Sequence, residues 1–157
     1  MTLRPHDEAL GFLVTDVARL LRAEFDRAIA AESLGITPGE ARALSHVARA
    51  RPVRQAALAE RMGVEAMTLS TYLDRLEERG LVTREADPTD RRAKLVTTTE
   101  AAAAVLARIR AVGEAVSRDL EARVPPGEWT GFLTTLKQLR ADLCDKRQET
   151  TRARPAA

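Results

Sequence analysis

Between positions 84 and 94 the chain reads Arg84-Glu85-Ala86-Asp87-Pro88-Thr89-Asp90-Arg91-Arg92-Ala93-Lys94, with two adjacent arginines and a lysine beside a turn-forming Asp-Pro. A guanidinium carried on the tip of a short hairpin can enter a narrow, negatively polarised groove such as the minor groove of a duplex. Asp90 stands where it could brace one of the two arginines by a charge-assisted pair. Just upstream, helical spacing from about Glu65 to Arg79 sets Leu69, Leu73 and Leu76 on one side, with Tyr72 at its edge. Met67, Thr68, Thr71, Asp74, Arg75 and Glu78 fall on the other side. Small hydroxyl-bearing residues there would let the helix sit deep in a major groove about 12 Å wide. Arg75 is placed for a phosphate, whereas Asp74 and Glu78 would be repelled by a polyanion and must angle away or pair with Arg. The candidate contact set is Arg54, Met67, Thr68, Ser70, Thr71, Arg75, Arg84, Asp90, Arg91, Arg92 and Lys94. Taken singly, the helix face could be an ordinary solvated face and the tip a solubilising turn; it is the combination that points to nucleic acid.

Several elements must position these groups. Leu10, Leu13, Val17, Leu20, Leu21, Phe25 and Ala28 recur at helical spacing and predict a first helix of about six turns, ending at Leu34-Gly35. Thr37-Pro38-Gly39-Glu40 has the form of a capping box opening a second helix, which carries Ala41, Leu44, Val47 and Ala48 inward and stops near Ala50. Gln55 to Arg61 forms a third, short helix closed by Gly63, and Gly80 closes the fourth. Leu81–Arg84 and Leu95–Thr97 are short strands joined by the polar loop, hence a hairpin. Beyond Thr99, Ala102, Val105, Ile109, Val112 and Val116 alternate steps of three and four. Pro125-Pro126-Gly127 breaks that run, and a last helix offers Trp129, Phe132, Leu136, Leu139 and Leu143 at the same alternation. The polar tail after Lys146 is expected to fray. The reading is a mainly α fold with a small β-hairpin wing. It forms a single domain over 1–157, with a winged helix-turn-helix lobe over 37–98 and helical flanks over 9–34 and 99–147.

Those flanks carry more apolar positions than one small helix–hairpin unit can cover. Leu10, Leu13, Val17, Trp129, Phe132, Leu136, Leu139 and Leu143 are therefore expected to meet a second copy; the alternative is that the long helices pack on each other within one chain.

Composition narrows the function classes. Of the 25 basic side chains 22 are Arg, and only Lys94, Lys137 and Lys146 are Lys. Arg suits phosphate and base-edge contacts, although G+C-rich coding accounts for most of such an excess. Net charge is only +2, and between positions 51 and 94 nine basic side chains meet eight acidic ones. That near balance keeps open an alternative from another class: a winged-helix protein-interaction module without specific DNA readout. The single cysteine, Cys144, rules out an internal disulfide framework and is expected to be a packed interface residue in a reducing compartment. No segment is long and uncharged enough to span a bilayer, so a cytoplasmic protein is expected. With only His6 and His46, no Gly-rich phosphate loop and no cluster at metal-ligand spacing, neither an enzyme, a cofactor nor a metal site is expected.

Three runs together resemble the winged helix-turn-helix of the MarR family of bacterial transcriptional regulators: Leu58-Ala59-Glu60-Arg61-Met62-Gly63-Val64, Leu73 through Val82, and Asp87-Pro88-Thr89-Asp90-Arg91-Arg92-Ala93-Lys94. The helix order outside them is similar too, over roughly Leu10 to Leu143, and the return strand is most similar to the SlyA-like branch. The resemblance implies a ligand-responsive repressor that binds a pseudo-palindromic operator in double-stranded DNA as a homodimer. It further implies a recognition helix at Glu65–Arg79, a wing at Arg84–Lys94, and a cleft for a small anionic aromatic effector near Arg22, Phe25, Ala41, Arg42 and His46. The chain departs from the family pattern at the helix N-caps, where Arg54 and Glu65 stand in place of Ser or Thr. It departs again at Thr71, where many members carry Arg, and at Ala41, where a bulky aromatic is common.

Overall fold

The computed structural model describes residues 9–50 and 52–152, with side chains to 147. The polar start with His6, and Arg51, lie outside the described residues. Six helices and three strands follow in the order α1 (Leu10–Ala31), α2 (Pro38–Arg49), β1 (Val53–Arg54), α3 (Gln55–Met62), α4 (Ala66–Glu78), β2 (Val82–Asp87), β3 (Asp90–Thr98), α5 (Ala102–Glu121) and α6 (Glu128–Arg152). The chain divides into two compact units, residues 1–116 and 117–157, so the boundary falls within α5.

The first unit has one apolar core. Ile29 from α1, Leu44 and Val47 from α2, Leu58 from α3, Leu69, Leu73 and Leu76 from α4, and Val82 and Val96 from the sheet are all at most 1% exposed. The helix starts follow their chemistry unevenly. At α2 the capping box forms in full: the Glu40 amide donates to the Thr37 hydroxyl at 3.3 Å, and the Thr37 amide donates to Glu40 Oε2 at 2.9 Å. Arg54 and Glu65 give α3 and α4 no side-chain cap, as their side chains lead one to expect. Gly63 and Gly80 close α3 and α4 at φ of 63° and 69°, the left-handed conformation that costs a residue with a Cβ.

The sheet is larger than the hairpin read from sequence. Val53 and Arg54 pair with Val96 and Leu95, making an antiparallel sheet in the order β1-β3-β2. Two residues carry no periodicity, which hides β1 from a pattern search. The hairpin strands also run much further toward the tip than Leu81–Arg84 and Leu95–Thr97: only Pro88 and Thr89 lie between them.

In the second unit α6 follows Pro125-Pro126-Gly127, with Gly127 at φ 87°. Its first turn stacks Trp129 on Phe132, ring centroids 5.6 Å apart. The helix continues to Arg152, beyond the Lys146 at which the sequence predicts fraying.

Candidate nucleic-acid interface

The wing carries an irregularity that displays its arginines. Asp87 pairs with Asp90 across the turn, but Ala86 pairs with Lys94, so Arg91, Arg92 and Ala93 have no partner on β2. Such a bulge twists the strand and re-aims its side chains, and Arg91, Arg92 and Lys94 are all exposed. Asp90 does not brace a guanidinium; its Oδ1 accepts from the Arg92 backbone amide at 3.0 Å, which stabilises the bulge itself.

Behind the tip stands Asp87, only 4% exposed. Its Oδ1 accepts from the Thr89 amide at 2.8 Å and the Thr89 hydroxyl at 2.7 Å. Its Oδ2 accepts from Arg54 Nε at 2.7 Å, and Arg54 Nη2 donates to Thr89 Oγ1 at 3.1 Å. The Thr89 hydroxyl, then the Thr89 amide, then Arg54 hold the Asp87 carboxyl below its ordinary range. Arg54, expected only as a nucleic-acid contact, thus ties the start of α3 to the wing turn. The roles of Asp87 and Thr89 are not apparent from sequence, because an Asp-Pro turn reads as complete by itself.

Arg84 requires a correction. It is expected among the DNA contacts, but its side chain is 13% exposed and turned onto α4. Nη2 lies 2.6 Å from Asp74 Oδ1 and 2.5 Å from Glu77 Oε2, Nε donates to Glu77 Oε2 at 3.0 Å, and the Arg84 amide donates to Glu77 Oε1 at 3.1 Å. Hydrogen bonding to Arg84 lowers the Glu77 pKa, and bonding to Glu77 raises that of Arg84. The clamp also disposes of Asp74, one of the two carboxylates that a polyanion would repel.

On α4 Met67, Thr68, Thr71 and Arg75 are exposed, while Ser70 is half-buried. Arg75 Nη1 approaches Oε1 of the buried Glu40 at 3.4 Å, so the capping carboxylate of α2 also holds the candidate recognition helix. Beside it Tyr72 presses on Gly39, where a Cβ would lie 2.5 Å from the ring.

The expected effector residues divide. A groove of about 540 Å³ is lined by Phe25, Arg42, His46, Arg49, Leu106, Ile109 and Arg110, together with Ser45 and Ala48. Arg42 within it is ion-paired to Asp26 of α1. Ala41 is a correction: it is wholly buried in the core and faces no cleft. Arg22 is exposed on α1 and outside the groove lining. The α5 residues Leu106, Ile109 and Arg110 escape the sequence reading, in which that helix is an apolar stripe alone. Burial first, then Arg49, Arg61 and Arg42, lowers the His46 pKa from 6.5.

Leu10, Leu13 and Val17 on α1 are 68%, 48% and 47% exposed. On α6, Phe132, Leu136, Leu139 and Leu143 are 46%, 42%, 43% and 66% exposed, whereas Trp129 is half-buried. Cys144 is exposed. Among the described residues no helix is long and apolar enough to cross a membrane, and no three His, Cys, Asp or Glu side chains group as metal ligands.

A helix pair followed by a three-stranded wing clamped to it defines a winged helix-turn-helix protein. Residues 34–93 match the MarR family. A Thauera aromatica protein proposed to regulate transcription of the hcr operon is 33% identical over 105 residues, 67% of this chain and 63% of that protein. The match thus spans less than two thirds of this relative's length. A crystal structure of MarR superposes with a TM-score of 0.77 at 25% identity, covering 94% of this chain and 99% of that one. A Mycobacterium tuberculosis MarR-family protein in complex with p-aminosalicylic acid gives 0.70 at 28% identity, covering 83% and 97%. The chain shares the winged helix-turn-helix fold of these MarR-family structures, and its residues 34–93 match the family.

Proposed function

We propose that the protein is a sequence-specific, DNA-binding transcriptional regulator: a ligand-responsive repressor that binds a pseudo-palindromic operator as a homodimer. The observation that carries this reading is the double anchorage of the wing. Its base is clamped to α4 through Arg84 and its tip to α3 through Arg54, while Arg91 and Arg92 and the Met67–Thr71 face of α4 remain exposed. A preorganised helix and a basic finger are what reading adjacent major and minor grooves needs. The exposed apolar rows on α1 and on α6 support a second copy, since in water surfaces of that kind are usually buried against a partner. One recognition helix from each copy would then meet successive major grooves about 34 Å apart. The return strand Ala93-Lys94-Leu95-Val96 supports placement nearest the SlyA-like branch.

Ligand response is supported by the groove, where Arg42, Arg49, Arg110 and His46 surround Phe25, Leu106 and Ile109. Guanidinium groups and apolar side chains lining one groove suit a small aromatic carboxylate, and the Mycobacterium tuberculosis protein was crystallised with such an acid. An effector that favours a dimer with its helices wrongly spaced would release DNA.

A gel-shift titration against the DNA upstream of the protein's own coding sequence tests the reading. The expected result is a sequence-preferring, salt-sensitive complex at sub-micromolar protein. Its absence, with the fold intact, would favour a protein-interaction module instead.

A further inference from the structure

If α4 lies in the major groove, the donors and acceptors that it exposes restrict what it can read. Guanine is recognised by a forked donor, adenine by a side-chain amide, cytosine by an acceptor and thymine by apolar contact with its 5-methyl group. From Ala66 to Glu78 there is no Asn, Gln or Lys. The helix's one Arg, Arg75, is drawn toward the buried Glu40 on α2, and Arg84 of the wing is closed onto Asp74 and Glu77. The Thr71 hydroxyl donates to the Met67 carbonyl at 3.1 Å, so toward a ligand Thr71 keeps only acceptor lone pairs and its methyl group. Thr68 can donate or accept and discriminates weakly. Against this stands Met67 in the first turn of α4, its residue surface 81% exposed, the most exposed of the large apolar residues among those described. Its unbranched thioether adapts to uneven apolar surfaces.

We propose that Met67 is a specificity-determining residue and that α4 reads its half-site through thymine 5-methyl groups rather than through guanine. The proposal rests on the DNA-binding reading given above and adds the chemical class of base that the helix recognises. Met67 contributes nothing to the core, so the fold gives no reason for an apolar side chain at this position. Contact with a thymine methyl would give it the burial it lacks. One methyl removed from such a contact is worth about fourfold in affinity, the transfer free energy of one buried methyl-sized group converted at a factor of ten per 1.4 kcal/mol.

The test uses the full-length protein and a randomised double-stranded DNA pool. The enriched site is synthesised with deoxythymidine and, position by position, with deoxyuridine, which keeps the base pair and removes only the methyl. The wild-type protein is expected to lose about fourfold in affinity at one or more thymines of each half-site. Met67→Ala should bind the thymine site more weakly and no longer distinguish it from the uracil site, while Met67→Leu should retain the distinction. Equal wild-type affinity for the two sites overturns the proposal, as does full discrimination by Met67→Ala. If the pool enriches no sequence at all, the regulator reading fails and this proposal falls with it. Enrichment without thymine–uracil discrimination overturns only the proposal. Because Met67 is so exposed, both variants should melt with the wild type, which separates readout from folding.

Discussion

Arg54 Nε donates to Oδ2 of the buried Asp87 at 2.7 Å, joining the start of α3 to the wing turn across 33 residues of sequence. The residue at the α3 N-cap is thereby used for tertiary rather than local bonding, and α3 begins uncapped. The same carboxylate organises the turn through Thr89, so the wing's shape and its attachment depend on one ionised group.

Asp87→Asn should therefore loosen the wing without unfolding the protein. The Thr89 amide, which donates to Asp87, should exchange with solvent much faster, and Arg54→Gln should reproduce part of the effect. Because the Asp87 pKa is held below the ordinary 3.8, its contribution is complete above that value and is lost as pH falls through the lower native value. Nuclear magnetic resonance of the Thr89 amide during acid titration checks both statements. An amide indifferent to the substitution would sink them.

Arg84→Met should cost stability rather than DNA contact. It leaves Asp74 and Glu77 near one another without their shared cation. The loss is about 1–2 kcal/mol, between the values for exposed ion pairs and for buried hydrogen bonds to charged groups, because both carboxylates are partly exposed. Chemical denaturation measures it. The salt dependence of DNA binding should keep its slope, since Arg84 is closed onto Asp74 and Glu77.

Arg91→Ala combined with Arg92→Ala should behave in the opposite way. Both side chains are exposed on the bulge, so the melting temperature should hold within a degree or two. The slope of log affinity against log salt should shrink by about 0.9 for each phosphate that the variant no longer neutralises. Titrations at several salt concentrations separate this from the Arg84 variant. An unchanged slope would argue that the tip does not touch the duplex.

The contrast between these arginines shows how far sequence carries the argument. Local devices are legible: the capping box Thr37/Glu40, the closing glycines Gly63 and Gly80, and the inward leucines of α4 all follow from spacing of four residues or fewer. The second roles of the same residues are not. Glu40 also meets Arg75, 35 positions away, and Arg84 reads as a free cation although Glu77 lies seven positions before it. Nothing local distinguishes an arginine that will be clamped from one that will face solvent. Strand β1 is hidden for a related reason, since two residues become a strand only through pairing with β3. Ala41 misleads in the other direction: it reads as a residue of the effector cleft, but the position is sealed in the core.

Gly39→Ala should disturb the seat of α4. The added Cβ would fall 2.5–2.6 Å from the ring carbon and hydroxyl of Tyr72, so the aromatic ring or the helix must move. Overpacking of this kind costs about 1–3 kcal/mol. Tyr72→Leu removes the opposing ring and should recover part of the loss in the double variant. Independent, additive losses in a double-mutant cycle would show that the contact does not set the helix position.

His46 supplies a prediction about pH. It is half-buried on the groove wall, where burial and then Arg49, Arg61 and Arg42 disfavour its protonated form. Arg110 lines the same groove, and Asp26 is paired with Arg42. The unfolded chain therefore binds a proton at this site more readily than the native protein. Stability should be full above pH 6.5 and should decline as pH falls below it toward the lower native value. Melting temperatures across that interval should fall less steeply for His46→Gln, and identical slopes would remove His46 as the cause. A carboxylate seated among the arginines would act on the same balance with the opposite sign. Offsetting their repulsion, it should raise the His46 pKa and draw a proton into the groove. Calorimetry of an aromatic acid in buffers of different ionisation enthalpy should then register proton uptake in the wild type and none in His46→Gln.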